Sequence, residues 1–553
     1  MNVAPLDLII IAVYFVGIIC FGLWISRKQA SGGREFFLAG QQMKWPMIGA
    51  SMFATNISSQ QFVGQAGLAF AVGIVAGGFQ LVGAFCFLLL AVVFLKTYIG
   101  LGLTTSPEFF ERRYDMRARR IVSFINIMLV LLGNIAAALY AGSLVLSDLF
   151  GWAALENADM FFILGVGIIG VAAGAYTLLG GLRAIMYLDF LQMIVLVGGG
   201  LLLLVFGIQA AGGLGPAFAS LETPEGNNAW NLILPWDHPL GWLPMLTGVL
   251  ILGIHGHCTD QDYVQRALAA QNLYQAKMGA LFGSFLKVLA LFAIAAPGVM
   301  AAKLVQTGDL AVPVQDAAYS AMVTNILPIG ITGICLAGLL AAIMSSVDSG
   351  LCAVGSLITY DFLGTSRKRR GESDASQLGE GRVVMLIVLV LCMMIAPLIR
   401  DFEGLFNYLL FVWSLLAPPV FVCVLFGLFY SRATARAAFY TLILGIVLAV
   451  VAFCFLQLPQ FAELRTSTPV YLQNKLNLGF LIAIVCALAL ILISRFGGAT
   501  PADREKASQI AQARDRGEEM TPAETTKVRL AVGVMLLLIL GVTLLFSPLG
   551  MGQ

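Results

Sequence analysis

Hydroxyl and amide side chains are concentrated in one segment of an otherwise apolar stretch. Residues 55–61 read Thr-Asn-Ile-Ser-Ser-Gln-Gln, and Gly64, Gln65 and Gly67 follow. A straight apolar helix would not carry so many amides, whereas a helix broken here would free backbone carbonyls that can bind cations. The alternative is a close helix–helix contact in which the serines hydrogen-bond to a neighbour. The composition of the segment favours the break.

A second polar stripe lies in residues 341–349, which read AAIMSSVDS. Ala342, Ser345, Ser346 and Ser349 follow the i, i+3, i+4, i+7 spacing of one helix face. That face offers a carbonyl and three hydroxyls, and hard cations take oxygen ligands. Serines also let helices pack closely, which is the alternative interpretation of the stripe.

Single ionisable residues also occur within apolar runs. Asp189 begins one such run, where it could form an ion pair with Arg183 or, together with Ser349, contribute to a second cation site. Lys287 lies inside another run. Because an unpaired ammonium is costly there, Lys287 needs a carboxylate, carbonyls or a bound solute as its partner.

His255, His257 and Cys258 bring three potential metal ligands close together in the sequence. Their spacing does not match a closed structural zinc site, and no second cluster of ligands accompanies them. We therefore expect no transition metal and no organic cofactor.

The composition places all of these residues in a membrane protein. Of the 553 residues, 59% are hydrophobic and 11% are charged, whereas a soluble domain carries about 25% charged residues. A helix needs about 20 mostly apolar residues to cross the hydrocarbon core, and about fourteen segments meet this criterion. Their centres lie near residues 15, 60, 85, 135, 170, 197, 250, 288, 343, 390, 415, 445, 486 and 537. The segments near residues 60, 250 and 343 are the least uniformly apolar.

Lys and Arg residues fall mainly in alternate loops, which predicts the orientation of the chain. With both termini outside, basic clusters in residues 27–44, 96–120, 367–382 and 495–529 lie inside, and the outer loops hold Lys303, Arg400, Arg465 and Lys475. Residues 6–25 lack the basic flank of a signal peptide, so we expect a first spanning helix there. The predicted location is the cell membrane, which is the inner membrane if the source is Gram-negative.

Other functional classes find no support in the sequence. There is no basic stripe interleaved with aromatic residues, so we expect no nucleic-acid partner. No nucleophile–base pair and no phosphate-binding loop emerges, so we do not expect an enzyme.

Several short motifs resemble those of the sodium:solute symporter family, which includes the sodium–glucose cotransporters. They are residues 37–40 (FLAG), 56–62 (NISSQQF), 107–109 (PEF), 176–192, 260–261 (DQ), 264–266 (VQR) and 345–346 (SS). The resemblance extends from about residue 6 to residue 496. It implies a LeuT-like core of ten helices, spans two to eleven, arranged as a 5+5 inverted repeat that alternates access to a midplane site.

On this interpretation the chain has five parts. They are a first transmembrane helix with an inner loop (residues 1–45), the ten-helix transport core (46–430), two accessory transmembrane helices (431–496), a polar cytoplasmic linker (497–527) and a last transmembrane helix (528–553).

The resemblance also implies where ions bind. Asp189 matches a family aspartate that is associated with cation coupling. The implied sodium ligands are the backbone carbonyls of Ala54, Ile57 and Ala342 and the hydroxyls of Ser345 and Ser346. This set agrees with the two polar segments identified from their residue types.

The implied solute site differs from that of the sugar-transporting relatives. Gln61 and Lys287 match residues that contact solute in those relatives, and Asp260 stands at a polar contact position. Gln80 replaces a carboxylate, and Leu410 replaces an amide. A site that lacks such hydrogen-bonding partners discriminates differently among hydroxylated solutes.

The prediction is a sodium-coupled symporter that imports a small polar solute, in the first place a sugar or a polyol. One alternative is a sodium symporter of a small carboxylate or zwitterion, in which Lys287 would neutralise the acidic group. Another is a transport-like solute sensor. The expected partners are the solute, sodium and the lipid bilayer.

Overall fold

The computed structural model describes residues 4–26, 32–57, 60–152, 155–363, 374–401, 405–516 and 520–552. Within these ranges the chain is almost entirely helical, and β-pairing is limited to two isolated bridges, Met43–Ala270 and Glu222–Asn228. Eleven of the described helices are long and apolar enough to cross a membrane. The predicted all-α membrane class is confirmed. Ser58, Ser59 and the basic residues 367–370 lie outside the described residues.

The helices are numbered here in chain order, with the shorter helices of the site included. They are α1 Pro5–Ser26, α2 Trp45–Asn56, α3 Gln61–Val72, α4 Ile74–Gly100, α5 Met116–Ser147, α6 Ala158–Ala210, α7 Trp242–Cys258, α8 Gln261–Leu268, α9 Leu273–Thr307, α10 Ile331–Leu363, α11 Leu378–Ile399, α12 Leu410–Phe429, α13 Ala435–Gln457, α14 Lys475–Gly497, α15 Pro501–Arg516 and α16 Pro522–Leu545.

Every predicted span centre except the one near residue 60 falls within one of these helices. The centres near residues 170 and 197 share α6, and the centre near residue 60 lies where α2 gives way to α3. The number of membrane crossings and the orientation of the chain stay predictions.

Helix α6 contains a sharp kink at Gly181. A straight helix of 53 residues would be about 80 Å long, whereas the hydrocarbon core is only about 30 Å thick. Gly181 has φ +58°, a conformation that glycine adopts without strain. A Cβ there would lie 2.6 Å from the carbonyl oxygen of Phe36. The kink therefore divides α6 into the two halves that the sequence predicts as separate spans.

Helix α10 lies at the centre of the bundle. In the most apolar stretch of 18 residues in α10, 89% of the residues are buried, whereas the corresponding share in α1 and in α16 is 17%. The neighbouring pair α2 and α9 approach each other closely at two glycines, because a Cβ on Gly49 would lie 2.5 Å from the carbonyl oxygen of Gly279. Such contacts hold the polar faces of α2, α9 and α10 inside the protein.

The terminal parts of the chain pack onto this bundle. Asp7 of α1 accepts hydrogen bonds from the N–H groups of Gly330 and Gly333 at the start of α10 (2.7 and 2.8 Å). In the polar segment 497–527, α15 is docked through Asp503, which accepts from the N–H of Ala435 (3.0 Å). Part of the predicted linker is therefore an ordered helix.

Candidate functional site

The second predicted span is interrupted between α2 and α3. Helix α2 ends at Asn56, and Ile57 has an extended backbone with φ −87° and ψ 94°. The N–H of Ile57 still donates to the carbonyl of Phe53 (2.9 Å). The last carbonyls of a helix have no partner within that helix, and those of Ala54 and Ile57 belong to this group. The break that the sequence predicts is present at the residues expected to supply carbonyl ligands.

The polar face of α10 lies against this break. The hydroxyl of Thr55, near the end of α2, is 3.2 Å from the hydroxyl of Ser349. Ala342, Ser345 and Ser346 are buried on the same helix, and Ser346 donates to the carbonyl of Ala342 (3.2 Å). The structure brings together the two elements that carry the predicted sodium ligands.

Ser345 also connects this face to Asp189. Its hydroxyl donates to one carboxylate oxygen of Asp189 (2.6 Å), and the hydroxyl of Ser51 donates to the other (2.5 Å). Asp189 is fully buried, and its carboxylate lies 3.8 Å from the guanidinium of Arg266. In the described part of the chain Asp189 forms no ion pair with Arg183, the partner that the sequence offered as one alternative.

Arg266 is a buried cation that joins three helices. It donates to Ser51 of α2 (2.8 Å), to Ser349 of α10 and to the carbonyl of Asp262 in its own helix, α8. A guanidinium keeps its charge in proteins and presents its donors in a fixed planar geometry. Arg266 therefore holds α2, α8 and α10 in a defined arrangement.

Buried carboxylates outnumber the buried cation in this region. Asp189, Asp262 and Asp348 are at most 1% exposed and lie near Arg266, which is also fully buried. Asp348 accepts from the hydroxyl of Tyr176 (2.6 Å). Because a buried carboxylate without a partner costs several kcal/mol, a cation that entered this region would stabilise the charged forms of these carboxyl groups.

A cavity of about 90 Å³ adjoins Asn56, the last residue of α2. It is lined by residues of α3, α4, α5, α7, α8, α9 and α12 and by Asp260 at the α7–α8 junction. Every residue that the sequence assigns to the solute site lines it, namely Gln61, Gln80, Asp260 and Lys287, together with Leu410. The tertiary structure thus collects these residues around one space next to the helix break.

Lys287 is held in this cavity by neutral amides. Its ammonium donates to the side-chain oxygen of Asn56 and to that of Gln80 (2.8 Å). The amide group of Gln80 donates to Gln65 (2.5 Å), whose own amide donates to the carbonyl of Ala76 (2.6 Å). The amide that replaces a carboxylate at Gln80 therefore supplies an oxygen for the cation without neutralising its charge.

Asp260 has a structural contact as well as a place in the cavity. It is the N-cap residue of α8, and its carboxylate accepts from the N–H of Asp262 (3.4 Å). Close by, the hydroxyl of Tyr263 accepts from the side-chain amide of Asn56 (2.8 Å). The junction between α7 and α8 is thereby tied to the end of α2.

Several lining residues were not assigned from the sequence. Gln65 lies four residues after Gln61, and this spacing could have placed both on one helix face. Other lining residues, such as Trp413, carry no sequence signal that separates them from ordinary core residues. The unassigned polar and aromatic residues include Asn56, Gln65, Tyr263, His255, His257 and Trp413.

The suspected metal ligands do not converge. The thiol of Cys258 donates to the carbonyl of Cys86 (3.3 Å), whereas His255 and His257 line the cavity. Within the described ranges no group of three or more His, Cys, Asp or Glu side chains is placed to hold a metal ion.

Comparison with known proteins identifies relatives of the chain. Residues 36–445 match the model of the sodium:solute symporter family. Human sodium/glucose cotransporter 4 is 31% identical over 471 residues, which cover 80% of this chain and 68% of that protein. Human sodium/myo-inositol cotransporter 2 is 32% identical over 479 residues, which cover 81% of this chain and 69% of that protein.

Solved structures show the same fold. A Na⁺-coupled sialic acid symporter in a substrate-bound, outward-open state aligns with a TM-score of 0.73 at 18% identity, over 90% of this chain and 99% of that one. Mhp1, a nucleobase-cation-symport-1 family transporter in a closed conformation, aligns with a TM-score of 0.55 at 14% identity, over 88% and 98% of the two chains. The predicted LeuT-like architecture is confirmed.

Proposed function

Because this chain belongs to the sodium:solute symporter family, we propose that it imports a sugar or a polyol together with sodium by alternating access. The observation that carries the proposal is the position of Asn56. This residue ends α2 beside the predicted sodium ligand Ile57, and its side chain contacts both Lys287 and Tyr263 in the cavity. A cation bound at the break would therefore act directly on the geometry of the solute site.

The proposed sodium site joins α2 to α10. Its ligands are the carbonyls of Ala54, Ile57 and Ala342 and the hydroxyls of Ser345 and Ser346. The buried contact between Thr55 and Ser349 supports this assignment, because it places the two helices side by side. A ligand shifts a conformational equilibrium only through different affinities for its states, and an ion shared by two elements that move apart has this property.

A second cation site is proposed at Asp189, with Ser349 nearby. The support is the excess of buried carboxylates over the single guanidinium of Arg266. Since Ser345 contacts Asp189 and also belongs to the first ligand set, the two sites would be coupled through one side chain.

The solute class follows from the relatives and from the cavity. The relatives named above are sodium/glucose and sodium/myo-inositol cotransporters. In this chain the solute would contact Gln61, Gln80, Asp260 and Lys287, the lining residues with hydrogen-bonding side chains that the family implies. A small carboxylate or zwitterion is a second candidate, because the side-chain nitrogen of Lys287 lies in the cavity with amide oxygens as its partners and could pair with an acidic group of the solute.

The parts of the chain and its location are proposed as follows. Residues 46–430 form the transport core, residues 431–496 and 528–553 contribute accessory helices, and residues 497–527 lie in the cytoplasm. The protein is a multi-pass membrane protein, and we place both termini outside the cell membrane.

Flux through purified protein tests the function directly. In proteoliposomes with a tenfold inward sodium gradient, myo-inositol or D-glucose is expected to accumulate about tenfold if one sodium accompanies each solute, because a tenfold gradient is worth about 1.4 kcal/mol. The control is an equal potassium gradient. Equal uptake in both gradients would contradict coupling, and accumulation of carboxylates or amino acids alone would favour the second candidate.

Removing both serine hydroxyls tests the first ion site. Ser345→Ala combined with Ser346→Ala is expected to raise the sodium concentration for half-maximal uptake about tenfold or more, because contacts to charged groups contribute about 1.5–3 kcal/mol. Ser356→Ala is a matched control on α10, since Ser356 is also buried but bonds to Ala353 and Gln261. An unchanged sodium requirement in the double variant would show that the site is assigned wrongly.

Neutralising Asp189 tests the second ion site. Asp189→Asn keeps the size of the side chain but removes its charge, so the ratio of charge to solute moved per cycle is expected to fall by one sodium. The ratio is measured from currents and tracer uptake in the same liposomes. Asp7→Asn is the matched control, because Asp7 is a buried carboxylate of α1 that contacts the start of α10 away from Asp189. A ratio equal to that of the unmodified protein would remove Asp189 from the ion sites.

Shortening Lys287 separates solute binding from ion binding. Lys287→Ala is expected to change the half-saturating solute concentration about tenfold while changing the sodium requirement much less, because the ammonium lies in the cavity. Lys277→Ala on the same helix is the control. A larger effect on sodium than on solute would place Lys287 in the ion machinery instead.

A further inference from the structure

Two histidine side chains with an unused nitrogen line the cavity. His255 is 3% exposed and His257 is 8% exposed, and both belong to the cavity wall. The Nε2 atom of each ring has no hydrogen-bond partner among the described residues. A buried polar atom without a partner costs about 1–3 kcal/mol. A solute group that hydrogen-bonds to either nitrogen would remove this cost.

The hydrogen bond at the other nitrogen determines what His257 offers. Its Nδ1 lies 2.9 Å from the carbonyl oxygen of Gly253. A carbonyl only accepts, so Nδ1 carries the hydrogen, and Nε2 of the neutral ring is an acceptor. The ring is held by Phe87, whose centroid is 4.6 Å away, and by Tyr263 at 5.2 Å. The lone pair of Nε2 therefore has a fixed position.

The tautomer of His255 follows from its contacts with Thr259. The hydroxyl of Thr259 donates its one hydrogen to the carbonyl of His255 (2.8 Å). The same oxygen lies 2.8 Å from Nδ1 of the ring, and in the tautomer that satisfies both contacts Nδ1 is the donor. Nε2 of His255 is then also an acceptor.

Open space lies beside Gly256, the residue between the two histidines. A Cβ built on Gly256 would meet no atom within 4 Å from residues other than its chain neighbours and the backbone of its own helix, and Gly256 lines the cavity. On the facing wall, a Cβ at Gly83 would lie 3.1 Å from the ammonium of Lys287 and 3.2 Å from Nε2 of His257. A donor and an acceptor thus flank the same space.

We propose that His255, Gly256 and His257 form a subsite that recognises hydroxyl groups, with two imidazole Nε2 atoms accepting hydrogen bonds from two hydroxyls of a sugar or polyol. This assignment rests on the proposed sodium-coupled import of such a solute and adds the residues that select it. A hydroxyl donates to the imidazole nitrogen and can accept from Lys287 in turn. A carboxylate has no hydrogen to give, so its oxygens would face the two lone pairs unfavourably.

The test compares variants that remove or keep the acceptor. His255→Phe and His257→Phe keep a planar ring but lose Nε2, whereas the corresponding Gln variants carry an amide oxygen in its place. His238→Phe is the matched control, because His238 bonds to Glu225 outside the cavity. Sodium-driven uptake of myo-inositol and of its monodeoxy analogues is measured for each protein, together with the sodium requirement.

Each Phe variant is expected to raise the half-saturating concentration of myo-inositol about 5- to 20-fold. The Gln variants should recover much of this loss, and the sodium requirement and the His238→Phe control should stay within about twofold. One deoxy analogue should be discriminated by the unmodified protein but not by the variant that lacks its acceptor. If the rings had only a structural role, loss of one imidazole would not remove the discrimination against one particular deoxy analogue.

Other results would overturn the assignment. If the unmodified protein takes up myo-inositol with sodium but the Phe variants do so with unchanged half-saturation, the subsite is wrong while the proposed function stands. If the unmodified protein takes up no hydroxylated solute with sodium, the proposed function fails first.

A second variant guards against misfolding of the histidine variants. Gly256→Leu fills the open space beside the two histidines while both imidazoles stay in the chain, and it should abolish myo-inositol uptake while sodium still stabilises the purified protein against heat. Uptake at the unmodified level in this variant would also refute the subsite.

Discussion

Backbone polar groups cannot be left unsatisfied at membrane depth, so a break in a spanning helix needs partners from the protein or from a bound ion. In this protein the break follows Asn56. Helix α10 packs against it with a face of hydroxyls, and Thr55 and Ser349 lie in contact there. The central, most buried position of α10 in the bundle follows from the need to keep both polar surfaces away from lipid.

The same constraint acts on charge. Arg266 is a buried cation in contact with α2, α8 and α10, and it stands among more carboxylates than it can neutralise. Removing a partner from a buried ion pair is strongly destabilising, whereas a mobile cation can complete the pairing and leave again. The proposed second cation site at Asp189 rests on this arrangement, since a cation bound there would supply the missing positive charge.

Asn56 links the ion side of this arrangement to the solute side. Its carbonyl oxygen accepts from Lys287, and its amide donates to Tyr263. Both contacts depend on where α2 ends. The polar part of the cavity wall also includes several amides, two imidazoles and Asp260, with Gln80 in place of a carboxylate. Amides and imidazoles can donate hydrogen bonds to hydroxyls and accept hydrogen bonds from them.

The sequence by itself determined the membrane class, the positions of the helical segments and the two polar segments of the proposed ion site. These features are local, because hydrophobic length and the spacing of hydroxyls along one helix can be read within a short window. The motifs of the family added the ligand set and four solute contacts. All four line one cavity, and their roles in binding stay predictions.

Only the tertiary structure decided which distant groups meet. Asp189 contacts Ser51, Ser345 and Arg266 rather than the nearby Arg183, because helix packing and not sequence distance sets the partner of a buried charge. His255 and His257 are separated by one residue, and nothing in their spacing indicated that both Nε2 atoms are acceptors. That property depends on the hydrogen bonds at Nδ1, which exist only in the folded chain.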